Sequence, residues 1–242
     1  MQSAIFAALA LIGVVAGPAA TANAADDSCA AVEVVFARGT FEAPGVGATG
    51  QSFVDALSAR LPGKTVDAYG VDYPASLNFG QAVDGVADAA NKIQAISAEC
   101  PSTKIVLGGY SQGAAVAGYT TSSTVPAGIA LPASISGPLP ASVASHVAAV
   151  ALFGTPDDWF LGLADRSAPP ITIGDLYGGK TIQLCATGDP VCYPGGLDRS
   201  AHSTYKSNGM ADQAADFVVS KLGLPAPSAT LVQAAATVDP GN

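Results

Sequence analysis

Lys104-Ile105-Val106-Leu107-Gly108-Gly109-Tyr110-Ser111-Gln112-Gly113-Ala114-Ala115-Val116-Ala117-Gly118 is the stretch on which the reading of this chain turns. Residues 104–109 form a short, buried-looking strand, and the run of small residues from Ala114 can begin a helix. Between them Gly109-Tyr110-Ser111-Gln112-Gly113 spells G-x-S-x-G. That pattern is weak alone in a chain with 27 glycines. The strand–turn–helix setting strengthens it. A serine on so tight a turn would project its hydroxyl from the carboxyl edge of a sheet, with a helix N-terminus beneath it. The competing reading is an ordinary glycine-rich strand-to-helix turn.

Outward from this turn, strands and helices alternate. Strand-like runs fall at 32–37, 65–69, 147–153 and 181–185, and helical spacing at 51–61, 80–100 and 210–222. Continuously apolar strands alternating with helices predict an α/β fold whose parallel sheet is covered on both faces. No internal repeat interrupts the pattern. Residues 121–145, rich in Ser, Pro, Ala and Gly, read as a surface excursion, and 225–242 as a disordered C-terminal tail.

The chain has 242 residues, 49% hydrophobic and 12% charged. This suits one domain of about 200 residues and excludes an intrinsically disordered chain. Ten basic against nineteen acidic residues give a net charge of −9. With its Lys and Arg scattered singly, the chain is a poor binder of nucleic acid, and it lacks a polybasic patch for anionic lipid. Residues 4–17 are an uncharged apolar run, followed by Pro18 and the small-x-small site Ala22-Asn23-Ala24. An export signal is expected at 1–24, with the domain at 25–224. The run is shorter than the roughly 20 residues of a spanning helix, so no stable membrane anchor is expected. Met1-Gln2-Ser3 lacks the usual basic residue, and a membrane anchor or a buried N-terminal helix is the competing reading. No charged residue precedes Asp26, so the whole −9 belongs to the mature chain.

Export makes the four cysteines legible as two disulfides. Cys185 and Cys192 bracket a turn-rich hexapeptide, so the most economical pairing is Cys185–Cys192 with Cys29–Cys100. Loop entropy assigns roughly 2.5 kcal/mol to the short loop and roughly 4 to the long one. Zinc is the rival use, but no CxxC spacing is present and both histidines lie elsewhere.

A serine hydroxyl needs a base. His146 precedes the strand at 147–153 and reads as a rim residue, whereas His202 lies in a polar loop before the last helix. The chain order Ser, acid, His selects His202. Between it and Ser111 stand Asp157, Asp158, Asp165, Asp175, Asp189 and Asp198. Asp198 is too near His202, and the adjacent Asp157 and Asp158 also read as a hydrated turn. Asp189 sits inside the short cysteine loop, a rigid mount for a carboxylate that must orient an imidazole. It is the expected partner. An oxyanion would need the N–H of Gln112 and a second donor from Arg38-Gly39-Thr40, after the first strand. Composition alone does not separate that second donor from a simple turn.

Taken together, Val34-Val35-Phe36-Ala37-Arg38-Gly39-Thr40, Gly108-Gly109-Tyr110-Ser111-Gln112-Gly113, Cys185-Ala186-Thr187-Gly188-Asp189-Pro190-Val191-Cys192 and His202 resemble the cutinase family, most strongly its actinobacterial branch. The likeness runs from about Cys29 to Leu222. It implies a small, lidless α/β-hydrolase with a five-stranded parallel core sheet, needing neither metal nor cofactor. It implies Ser111 as nucleophile, His202 as base, Asp189 as its partner, Thr40 and Gln112 as oxyanion hole, and the two disulfides already named. The expected activity is hydrolysis of short- to medium-chain acyl esters, with polyesters or lipids as further substrates, by a monomer that is secreted or held at the cell wall. Rival readings are an acetylxylan-type polysaccharide deacetylase and a catalytically silent binding protein on the same scaffold. Thr40 stands where fungal relatives often carry Ser, and the stretch around 121–140 is longer than the family pattern.

Overall fold

Within residues 29–127 and 129–224, which the computed structural model describes, the chain runs β1 (Val32–Ala37), α1 (Gly47–Arg60), β2 (Val66–Gly70), α2 (Ala82–Glu99), β3 (Lys104–Tyr110) and α3 (Gln112–Thr120). It continues through α4 (Ala141–Ala144), β4 (Val147–Phe153), α5 (Asp158–Ala164), α6 (Asp175–Gly178), β5 (Thr181–Leu184) and α7 (Met210–Leu222). Short 3-10 turns occupy Phe79–Gln81 and Ala201–Ser203. The expected export signal and C-terminal tail lie outside the described residues.

The five strands form one parallel sheet in the order β2-β1-β3-β4-β5. Side chains alternate across a strand, so an uninterrupted apolar run supplies both faces. From β1, Val32, Val34 and Phe36 pack with Phe53 and Leu57 of α1 and Ala214 and Val218 of α7. Val35 and Ala37 face the other way, against Ala89 and Ile93 of α2 and Val116 of α3. Helices therefore cover both faces. Both disulfides form, Cys29–Cys100 and Cys185–Cys192.

The strand order places the site. From β1 the chain crosses to β2 on one side, then returns to β3 on the other. The loops after β1 and β3 diverge at that reversal, and the resulting crevice at the carboxyl ends is where open α/β sheets bind ligands.

Two expectations need amendment. Helix α1 begins at Gly47, four residues before the periodic signal at 51. Its first turn buries Thr49 and Gly50 rather than large apolar residues, and the Glu42 carboxylate accepts the Ala48 N–H at 2.7 Å. A distant acid thus satisfies a helix end that no local cap announces. The 121–145 stretch is also more than a surface excursion. Leu139 and Ala144 are buried in the core, and Ile129, Leu131 and Ile135 help wall an apolar cavity of ≈160 Å3 against Val83 and Val86 of α2. Proline and serine between these residues break any periodicity that would have revealed them.

Candidate active site

Ser111 occupies the single residue between β3 and α3, with φ +56 and ψ −120. L-residues rarely adopt this conformation, and it persists only where surroundings enforce it. Here the Ser111 N–H donates to the Phe153 carbonyl at 2.8 Å, and the Ser111 carbonyl accepts the N–H groups of Ala114 and Ala115. The flanking glycines allow the approach. A Cβ at Gly109 would run into the Gly113 carbonyl, and one at Gly113 into the carbonyls of Ala37 and Arg38.

The structure brings the sequence-selected residues together. His202 Nε2 lies 2.8 Å from Ser111 Oγ, and His202 Nδ1 lies 2.7 Å from Asp189 Oδ2. A carboxylate only accepts, so Nδ1 carries the proton and Nε2 is free to accept from the serine hydroxyl. Asp189 is fully buried. Burial alone would push its carboxyl up, but hydrogen bonds from His202, Tyr205 and the Val191 N–H outweigh this and hold it below the ordinary carboxylate range. Asp189 therefore stays ionised at neutral pH.

The other candidates are used elsewhere. Asp157 caps α5, accepting the Phe160 N–H at 2.7 Å, and Asp158 and Asp175 sit in the first turns of α5 and α6. Asp165 and Asp198 close local turns on Ser167 and Ser200. His146 sits just before β4, at the opposite sheet edge from Ser111.

Two tyrosines that sequence reasoning missed complete the cluster. The Tyr110 hydroxyl donates to the His202 carbonyl at 2.5 Å, and its ring lies 5.1 Å, centroid to centroid, from the imidazole. The Tyr205 hydroxyl donates to Asp189 Oδ2 at 2.5 Å and accepts the Ala186 N–H at 3.0 Å. The available signal was His202-Ser203-Thr204-Tyr205, which puts an aromatic residue one short turn after the histidine.

Thr40 lies on the loop after β1, which is locked from several sides. Buried Arg38 donates to the carbonyls of Glu42, Val71 and Tyr73, and the Tyr73 hydroxyl donates back to the Arg38 carbonyl. Glu42 accepts the Gly39 N–H, while Phe41, at φ +65, donates its N–H to the Ala75 carbonyl. The Gly39 backbone packs so closely on the Tyr110 ring that a Cβ there would strike it. Thr40 and the Gln112 N–H at the start of α3 thus flank the serine turn from β1 and β3. The Gln112 side chain is turned away, donating to the Ser76 carbonyl at 2.9 Å.

Cys185, Asp189 and Cys192 form the only convergence of metal-ligand types found among the described residues. Both sulfurs are spent in the disulfide, so the group offers no thiolate and does not suit a metal.

The sequence profile described as Cutinase matches residues 28–222. The chain is 49% identical over 173 residues to probable carboxylesterase Culp5 of Mycobacterium tuberculosis, covering 72% of this chain and 97% of that one. It is 42% identical to phospholipase Culp4 of the same organism, covering 92% of each. Among solved structures, a Trichoderma reesei cutinase in complex with a phosphonate inhibitor superposes with a TM-score of 0.59 at 33% identity, over 81% of this chain and 78% of that one. Fold, motif order and these likenesses agree, and the chain belongs to the cutinase family of carboxylic ester hydrolases.

Proposed function

We propose that this protein is a secreted serine esterase acting on short- to medium-chain acyl esters, including water-insoluble ones, through Ser111, His202 and Asp189. The observation that carries the reading is the unbroken Ser111–His202–Asp189 hydrogen-bond chain, at 2.8 and 2.7 Å, at the carboxyl edge of the sheet. In the acylation step His202 Nε2 takes the hydroxyl proton as Ser111 Oγ attacks the ester carbonyl. The N–H groups of Thr40 and Gln112 hold the oxyanion, and the alcohol leaves with the proton returned by His202. Water, deprotonated by the same nitrogen, then releases the acid. Protonated His202 cannot accept from Ser111, so activity falls on the acid side.

The surroundings favour apolar esters. Phe41 is 75% exposed, Leu77 67% and Leu197 90%. They lie on loops following β1, β2 and β5, at the same sheet edge as Ser111. Such a rim suits a lipid-like or polyester surface better than a polar sugar chain, and so speaks against the acetylxylan-type alternative. The two disulfides fit an oxidising compartment and support export.

Hydrolysis of p-nitrophenyl esters from acetyl to palmitoyl tests the reading, with Ser111→Ala in parallel. We expect a maximum at short to medium chains. The variant should lose at least about 1,000-fold in kcat and all labelling by a fluorophosphonate probe, with unchanged circular dichroism. Activity confined to acetyl esters would support the deacetylase instead. An unlabelled wild type would support a silent scaffold.

A further inference from the structure

We propose that Tyr205 is a positioning residue of this site, its hydroxyl clamping Asp189 and moderating how strongly that carboxylate holds a proton on His202. The proposal rests on the Ser111–His202–Asp189 reading above. Its basis is geometric. Tyr205 is fully buried, and its hydroxyl sits at a junction. It donates to Asp189 Oδ2 at 2.5 Å, the same oxygen that accepts His202 Nδ1–H at 2.7 Å. It accepts the Ala186 N–H at 3.0 Å and lies 3.3 Å from Cys192 Sγ, so both ends of the short disulfide loop converge on it. Its ring stands edge-on to the His202 ring at 6.2 Å and packs against Tyr110 and Phe153.

A phenol this well packed has no freedom to swing away. Burial and the Asp189 carboxylate both push its ionisation well above the ordinary phenol range, so it remains a donor wherever the esterase works. Asp189 Oδ1 takes the Val191 N–H at 2.8 Å, leaving Oδ2 shared between tyrosine and histidine. Among the described residues no Lys or Arg pairs with Asp189. The groups facing the Asp189–His202 pair are Tyr205, Tyr110 and Ser111, with Asp198 on the adjoining loop. None of them supplies a positive charge, so the tyrosine hydroxyl is the main side-chain counterweight to the carboxylate besides His202 itself.

The expected consequence has a sign. A donor to the carboxylate spreads its charge and lowers its pull on the imidazolium proton. Without it, Asp189 holds that proton more tightly, and His202 becomes free to act as base only at higher pH.

The test is the pH profile of kcat/KM on p-nitrophenyl butyrate for wild type, Tyr205→Phe and a protein carrying 3-fluorotyrosine in place of Tyr205. For Tyr205→Phe the acid limb should move up by about 0.5–1 pH unit, and the plateau kcat should fall about 10-fold. The fluorinated phenol keeps the shape and is a stronger donor, so its acid limb should move down. It keeps the proposal testable if Tyr205→Phe does not fold. Acid limbs unmoved in both proteins, or moved in the same direction, would overturn the proposal, because lost packing alone lowers rates without opposed shifts. Ser111→Ala separates the two layers of the argument. If it retains activity, the underlying site reading fails. If it is inactive while both Tyr205 proteins keep the wild-type profile, only the role of Tyr205 fails.

Discussion

The strained backbone of Ser111 is held by contacts that no other residue type at the neighbouring positions would permit. Gly113 shows this most directly, since its backbone lies against the Ala37 and Arg38 carbonyls. A Cβ there must push the start of α3 away from β1, and Thr40 with it. Gly113→Ala is therefore expected to cost about 1–3 kcal/mol in chemical denaturation. It should also lower kcat more than it raises KM, because the proposed oxyanion donors, the N–H groups of Thr40 and Gln112, lose register before the rest of the cleft does. The serine, the histidine and the acid could be read from sequence because each was constrained by a motif, a chain order or a cysteine loop. Tyr205 could not. Nothing in His202-Ser203-Thr204-Tyr205 shows that the hydroxyl turns inward to a carboxylate sixteen residues upstream, since that depends on how the 185–205 segment folds back against the end of β4.

At the scale of elements, one carboxylate joins two that sequence treats separately. Glu42 Oε2 accepts the Gly39 N–H and its Oε1 accepts the Ala48 N–H, both at 2.7 Å. The loop carrying Thr40 is thereby fastened to the N-terminus of α1. Glu42→Ala should destabilise the fold by about 1–2 kcal/mol, read as a lowered Tm. It should also reduce kcat on soluble esters, which loss of a remote helix cap alone would not do. The strands and the long helices α2 and α7 were legible because their apolar spacing is uninterrupted. The start of α1 and the inward residues of 121–145 were not, because their burial relies on glycine, threonine and partners far away in sequence. The acidic capping residue of α1 precedes it by a loop, so a search for a local cap finds only Val46.

At the scale of the whole molecule, the site divides unequally over the sheet. Ser111 and the Thr40 loop grow out of β3 and β1, interior strands paired on both sides. Asp189 and His202 follow β5, a four-residue strand at the edge paired only with β4. Edge segments open at lower free energy than the interior of a domain. The disulfide Cys185–Cys192 and the Tyr205 hydroxyl hold this segment in place, but they tie it largely to itself. Amides of residues 184–205 are thus expected to exchange with deuterium faster than those of β1, β3 and β4. Heat inactivation should set in below the temperature at which circular dichroism reports global melting. Coincident transitions, with uniform exchange protection, would count against this division. An esterase so arranged fails by detachment rather than collapse. On warming it would let go of His202 and Asp189 while Ser111 is still held in its strained turn, and on cooling it would recover by redocking one segment instead of refolding.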